Sequence, residues 1–316
     1  MEQVETSYGI IPVTGVVERH AGGQPKSLTP AGEAVFDTVL GRLEAQRTTD
    51  DLRRRTVQSV LFHENGMLRA LPLERPTLVE TPAGSLEVEL ATFHPDGSLC
   101  RAFPLNGKLS GYWTQDDEGR LARPVSFKTP LGTFTARIIA LCFHPGGALR
   151  SVTLWPGDTL RVPTPVGELS ARIGLSFRPD GALRCLEPAR PQSVPTPAGK
   201  VMAYDLDAVG ISGDRNSLAF APDGTVERVA TSLTRLVATH PDGTTETFGP
   251  GTRESLCGDA DVEPVPLLME FAPEAVTLRA TPLSAPVIIP TRGRTFRTQP
   301  FLREFANPLG MRACGC

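Results

Sequence analysis

Two short turn motifs alternate along this chain, and their alternation limits its fold more than any other feature. The first is Thr-x-x-Gly, at Thr6–Gly9, Thr38–Gly41, Thr81–Gly84, Thr129–Gly132, Thr164–Gly167 and Thr196–Gly199. The second is a turn ending in Gly, usually Phe-x-Pro-x-Gly, which closes at Gly66, Gly97, Gly147, Gly181 and Gly224. Looser copies close at Gly23 and Gly243, and a decayed copy starting at Phe271 has Ala275 in place of Gly. From the second motif's Gly to the next Thr is 15 residues at Gly23, Gly66 and Gly181, and 17 at Gly147. Successive Thr residues lie 32, 43, 48, 35 and 32 apart, which fits a unit of about 32–35 residues with insertions in two copies. A recurring period of this length signals one supersecondary unit stacked on the next.

Each unit reads as strands joined by tight turns. After Gly167, Leu169, Ala171, Ile173, Leu175 and Phe177 alternate with polar or small residues, the period of a half-buried strand. In Pro-Asp-Gly, Pro presets φ, Asp bonds its own backbone and Gly accepts positive φ. The following strand has apolar residues at +2, +5 and +7 from the Gly, as in Leu68, Leu71 and Leu73 or Leu149, Val152 and Leu154. The odd step from +2 to +5 breaks the alternation and predicts a bulge in each copy. Thr-Pro-x-Gly makes the return turn, where a Pro without an N–H does no harm. One stretch competes, because Val35, Phe36, Val39, Leu40 and Leu43 also match a helical stripe. The repeat alignment places a turn at Thr38–Gly41 instead. The expectation is an all-β fold of tandem antiparallel hairpins forming an extended or gently wound sheet. A β-propeller is the alternative, although its blades need about 40–45 residues. Residues 1–250 form the array, with insertions near 47–57, 105–125 and 203–217, and 251–316 form a C-terminal capping region. The Arg-rich stretch Arg47–Arg55 is a loop or a short helix.

The segment Pro104–Trp113, PLNGKLSGYW, resembles the NGKLxGxW pattern of MORN-like and antitoxin-type β-hairpin repeats. The wider alternation of TPxG with FxxDG, together with GDxNSL at Gly213–Leu218, is similar to a family of bacterial repeat proteins across about residues 1–275. These are turn motifs, so the resemblance implies a fold and carries over no catalytic residue. MORN-like repeats imply membrane or protein association.

Insertions in a repeat array commonly fall on its binding face. The second insertion holds Tyr112 and Trp113 beside Asp116, Asp117 and Glu118, an aromatic platform next to carboxylates that suits a cation or a sugar. The plainer reading packs the two rings on the sheet and leaves the acids in a solvated loop. The third carries Asp205, Asp207, Asp214, Asn216 and Ser217. Asp205 and Asp207 alternate as oxygen ligands of a hard cation do, yet Asp and Asn also simply make turns.

All five histidines, His20, His63, His94, His144 and His240, stand three residues before a turn Gly. In register they would make a ladder for a divalent metal or a titration near neutral pH; duplication of a turn position gives the same pattern. Cys100, Cys142 and Cys185 lie in repeat strands as small buried hydrophobes. Cys257, Cys314 and Cys316 lie outside the array, where a soft-metal or redox site competes with a frayed terminus. A formal charge of −3 argues against nucleic acid as partner. The Arg-rich tail from Arg279 to Arg312 follows a chain-wide excess of 28 Arg over 4 Lys. No apolar run approaches the roughly 18 residues of a membrane span, and the N-terminus lacks a basic and apolar leader, so a cytoplasmic protein is expected. GxxxxGK[ST], GxGxxG, HExxH and GxSxG are all absent. The functional expectation is a non-catalytic scaffold or binding module that recognises a protein or small ligand through its insertion loops. The alternative is an enzyme or metal-binding protein using the insertion carboxylates. No metal ligand set or cofactor is assigned.

Overall fold

The computed structural model describes residues 2–206, 208, 213, 214, 216–254, 262–280 and 284–301. They are all-β apart from one seven-residue helix, and they divide into two compact units, Met1–Ala189 with Val209–Asn216 and Arg190–Ala208 with Ser217–Cys316.

In the first unit, β1 (Glu2–Thr6), β2 (Gly9–Arg19) and β3 (Pro25–Pro30) run back and forth, followed by a separate hairpin of β4 (Val35–Thr38) and β5 (Gly41–Glu44). Next come β6 (Val60–Phe62), β7 (Leu68–Thr81), β8 (Gly84–Phe93) and β9 (Leu99–Phe103). Helix α1 (Gln115–Leu121) precedes the small hairpin of β10 (Val125–Thr129) and β11 (Gly132–Ala136). The unit closes with β12 (Ile138–Phe143), β13 (Leu149–Leu154), β14 (Leu160–Thr164), β15 (Gly167–Phe177) and β16 (Leu183–Pro188). One antiparallel sheet runs β1-β2-β3-β6-β7-β8-β9-β12-β13-β15-β16, with β14 on the first half of β15. It is an open, continuous ladder, not the separate blades of a propeller.

Both turn motifs act as their chemistry requires. In all six Thr-x-x-Gly turns the Thr hydroxyl donates to the Gly carbonyl three residues on and accepts the N–H of the residue between. Thr38–Gly41 is one of them, so the stripe from Val35 is a hairpin and not a helix. The predicted bulges are present. In β7, β9, β13 and β16, the residues at +2 and +4 from the turn Gly pair with neighbouring positions of the partner strand, leaving Arg69, Cys100, Arg150 and Arg184 as the extra residues. That extra residue puts +2 and +5 on the same face. Leu68 and Leu71, Leu99 and Ala102, Leu149 and Val152, and Leu183 and Leu186 are accordingly all buried. On this face sit the fully buried Phe62, Phe143 and Phe177. The small hairpins cover it, as where Phe36 meets Phe62 at 6.3 Å and Tyr8 at 5.5 Å between ring centroids.

The second unit repeats the theme with β17 (Gln192–Thr196), β18 (Gly199–Ala203), β19 (Leu218–Phe220), β20 (Val226–Thr231), β21 (Thr234–Thr239) and β22 (Thr245–Phe248). It continues with β23 (Gly251–Glu254), β24 (Val262–Val265), β25 (Leu267–Ala272), β26 (Ala275–Arg279), β27 (Val287–Pro290) and β28 (Thr295–Pro300). β19-β20-β25-β26-β27 form one open antiparallel sheet, and β21 pairs with both β22 and β28. The decayed repeat at Phe271 still folds as the β25–β26 hairpin. Among the described residues no helix is long and apolar enough to cross a membrane.

Candidate functional site

The first two insertions, near 47–57 and 105–125, meet. The second leaves β9 through irregular chain and enters α1, whose N-cap Thr114 and N3 residue Asp117 bond each other's backbone in a capping box. Asp116, Asp117 and Glu118 thus occupy the first helical turn, where negative charge offsets the exposed N–H groups. They part company there. Asp116 is exposed, Asp117 caps the helix and Glu118 is buried.

Glu118 reaches Arg53 of the first insertion, whose Nε and Nη2 both donate to its carboxylate at 2.7 Å. Arg53 Nη1 also donates to Glu89 of β8 at 2.9 Å. The Trp113 indole N–H donates to Glu118 at 2.6 Å and the Gly107 amide at 2.8 Å, while the Asn106 amide donates to Glu89 at 2.7 Å. A Cβ on Gly107 would overlap the Glu118 carboxylate and force it out of its present place. Burial pushes the Glu118 carboxyl up, but the Arg53 guanidinium and the Trp113 and Gly107 donors outweigh it and hold it below its usual range. Burial likewise opposes the charge on Arg53, and its two carboxylates more than offset this, raising its pKa. One cation between two anions, bonded on every side, lets these charges sit out of water. Trp113 is therefore a support of the base and not an exposed platform.

Above this base the two insertions run side by side, with the Lys108 amide donating to the Arg53 carbonyl at 3.1 Å. Leu52 and Leu109 flank that bond at 51 % and 59 % exposure, with Tyr112 at 71 % and Leu121 at 42 %. The Arg55 guanidinium lies over the Tyr112 ring, 5.1 Å from its centroid. A shallow groove beyond α1 is lined by Gln115, Asp116, Arg120, Arg137, Trp155 and Pro156.

The third insertion lands elsewhere. Asp214 lies over a row of side chains that runs straight across the sheet: Arg101 on β9, Cys142 on β12, Ser151 on β13, Ser176 on β15 and Cys185 on β16. Its carboxylate takes Arg101 at 2.7 Å, Arg150 at 3.5 Å and the Ser151 hydroxyl. Asn216 donates to Cys185 Sγ at 3.1 Å and to the Gly213 carbonyl at 2.9 Å. Cβ atoms on Gly174 or Gly213 would strike the Val152 carbonyl, so glycine at both positions allows this docking. Asp205 is half-buried in the second unit, and Asp207, Cys257, Cys314 and Cys316 lie outside the described residues. Cys142 and Cys185 are buried as expected, while Cys100 is partly exposed. They lie off the Phe-lined face, and Cys185 bonds Ser176.

The histidines have an internal task. His20, His63, His94 and His144 direct Nε2 at the carbonyls of Phe62, Phe93, Phe143 and Phe177, at 2.9 to 3.1 Å. A carbonyl only accepts, so each Nε2 carries hydrogen and each ring ties its own turn to the end of a later strand. Among the described residues no cluster of three or more His, Cys, Asp or Glu is placed to hold a metal ion.

Arg53 and Glu89 are the residues that sequence reasoning misses. They lie 36 positions apart, and Arg53 lies 65 from Glu118, so no local pattern links them. Residues 115–121 read as a loop in sequence; helix α1 forms there, and the one local hint of it is Thr114-x-x-Asp117, which departs from the usual Ser/Thr-x-x-Glu/Gln signature. No protein-family model, curated protein or solved structure matches this chain.

Proposed function

We propose that this chain is a non-catalytic β-repeat scaffold that binds a protein partner through the joined surface of its first two insertions. The observation that carries the reading is the pairing of a buried, hydrogen-bonded ion cluster with exposed apolar side chains on the two insertions it joins. Arg53, Glu89 and Glu118 fix the two loops, and Leu52, Leu109, Tyr112 and Leu121 are left facing solvent. Tyr, Arg and large apolar side chains at the centre of a preorganised patch are the usual anchors of protein recognition. The carboxylates favour binding over metal or acid–base chemistry: Asp117 caps its own helix, Glu118 is neutralised by Arg53 and Asp214 by Arg101.

The test compares proteins retained by the immobilised full chain and by a Leu109→Ser/Tyr112→Ala variant. Exposed substitutions of this kind leave stability within about 0.5 kcal/mol, so melting should not change. A defined set of proteins retained by the parent and lost by the variant is expected. Identical sets would contradict the reading.

A further inference from the structure

We infer that Cys100 and Cys142 form a peroxide-oxidisable thiol pair, a modification site at which a disulfide closes between β9 and β12. This stands on the sheet geometry and is independent of the insertion surface.

Cys100 is the extra residue of the β9 bulge, between Leu99, opposite Phe93, and Arg101, opposite Thr92. Leu99 and Ala102 are both buried on the Phe-lined face, so Cys100 and Arg101 share the other one. In an unbulged strand Cys100 would point away from Arg101; the bulge turns it over. Across the β9–β12 ladder the partner of Arg101 is Cys142. The two thiols therefore stand diagonally to each other on one face of the ladder. A disulfide requires sulfurs at about 2.05 Å and Cβ vectors that converge, and side-chain rotation supplies the approach.

The surroundings give the two thiols different parts. The neighbouring Cys142 side chain outweighs burial and lowers the Cys100 thiol below its ordinary value. The same pairing, burial and the nearby Asp214 carboxylate push Cys142 up. Cys100 is partly exposed and Cys142 buried. The accessible Cys100 is thus the thiol that meets peroxide, and the buried Cys142 the resolving thiol.

The co-reactant is hydrogen peroxide. The Cys100 thiolate attacks one peroxide oxygen, the O–O bond breaks, and sulfur becomes a sulfenic acid as hydroxide leaves. The Cys142 sulfur then attacks the sulfenic sulfur. The S–S bond forms, the S–O bond breaks, and the departing oxygen takes the Cys142 proton and leaves as water. Two electrons pass from the pair to the peroxide, and a small-molecule thiol reverses the bridge.

The experiment treats the full chain with hydrogen peroxide at pH 7, alkylates it under denaturing conditions and maps its peptides by mass spectrometry. Expected is a Cys100–Cys142 cross-linked peptide that disappears on reduction with dithiothreitol. Cys100 should lose alkylation at least about tenfold faster than the fully buried Cys185. A Cys142→Ser variant should trap Cys100 as a sulfenic acid that couples to dimedone. The inference is overturned if both thiols stay alkylatable, if Cys100 over-oxidises without bridging, or if it bridges to another cysteine. Should the variant fail to fold, the peptide map of the parent chain decides.

Discussion

Glu118 shows how much depends on a single buried carboxylate. Its pKa in the folded chain lies below the ordinary glutamate value. Its contribution to stability is therefore complete above the unfolded value, near 4.3, and disappears as pH falls through the lower folded value. Glu118→Gln should cost about 2 kcal/mol at neutral pH, less than a fully broken buried pair because Arg53 keeps Glu89. The same variant should also lose part of the decline in melting temperature that the parent shows below about pH 4.3. Thermal melts from pH 2 to pH 7 on both chains check this, and parallel curves would remove Glu118 from the acid response. In sequence it reads only as one of three consecutive acids. Nothing local tells the capping Asp117 from the buried Glu118, because the distinction comes from Arg53, which the fold delivers.

At the scale of the element, turn chemistry is what the sequence spells out. The Thr81 hydroxyl both donates to Gly84 and accepts from Ala83, and Gly84 sits at φ +118° with nothing within 4 Å of an added Cβ. Thr81→Val should cost about 1–2 kcal/mol and Thr81→Ser much less, since Ser keeps the hydroxyl. Gly84→Ala should cost about 1–2 kcal/mol through backbone strain alone. Urea midpoints decide, and equal losses for Val and Ser at position 81 would mean that the methyl group contributes as much as the hydroxyl. The bulges were legible for the same reason, since burial of Leu99 and Ala102 on one face needs one extra residue between them. The histidines were legible as a repeated position, but their hydrogen-bond partners were not. The shared phase of His63 and His94 fits a metal ladder as readily as bonds to Phe93 and Phe143, and only strand pairing separates the two.

For the whole molecule, the repeats carry the insertions, and the joining of insertions decides what the surface offers. Equivalent turn motifs close equivalent hairpins, yet they left open which insertions meet. The structure joins the second to the first through Arg53, while Asp214 of the third goes to Arg101. The Arg53 joint is local: its side chain bonds Glu89 and Glu118, so disturbance there leaves distant strands folded. Arg53→Lys keeps the charge and removes the planar fork that holds Glu89 and Glu118 at once. The most direct measurement is hydrogen–deuterium exchange on this variant beside the parent chain. Residues 47–57 and 105–122 should lose protection together and by similar amounts, with β12, β13 and β15 unchanged. Loss confined to one insertion, or spread evenly over the sheet, would contradict a single surface held by one buried joint.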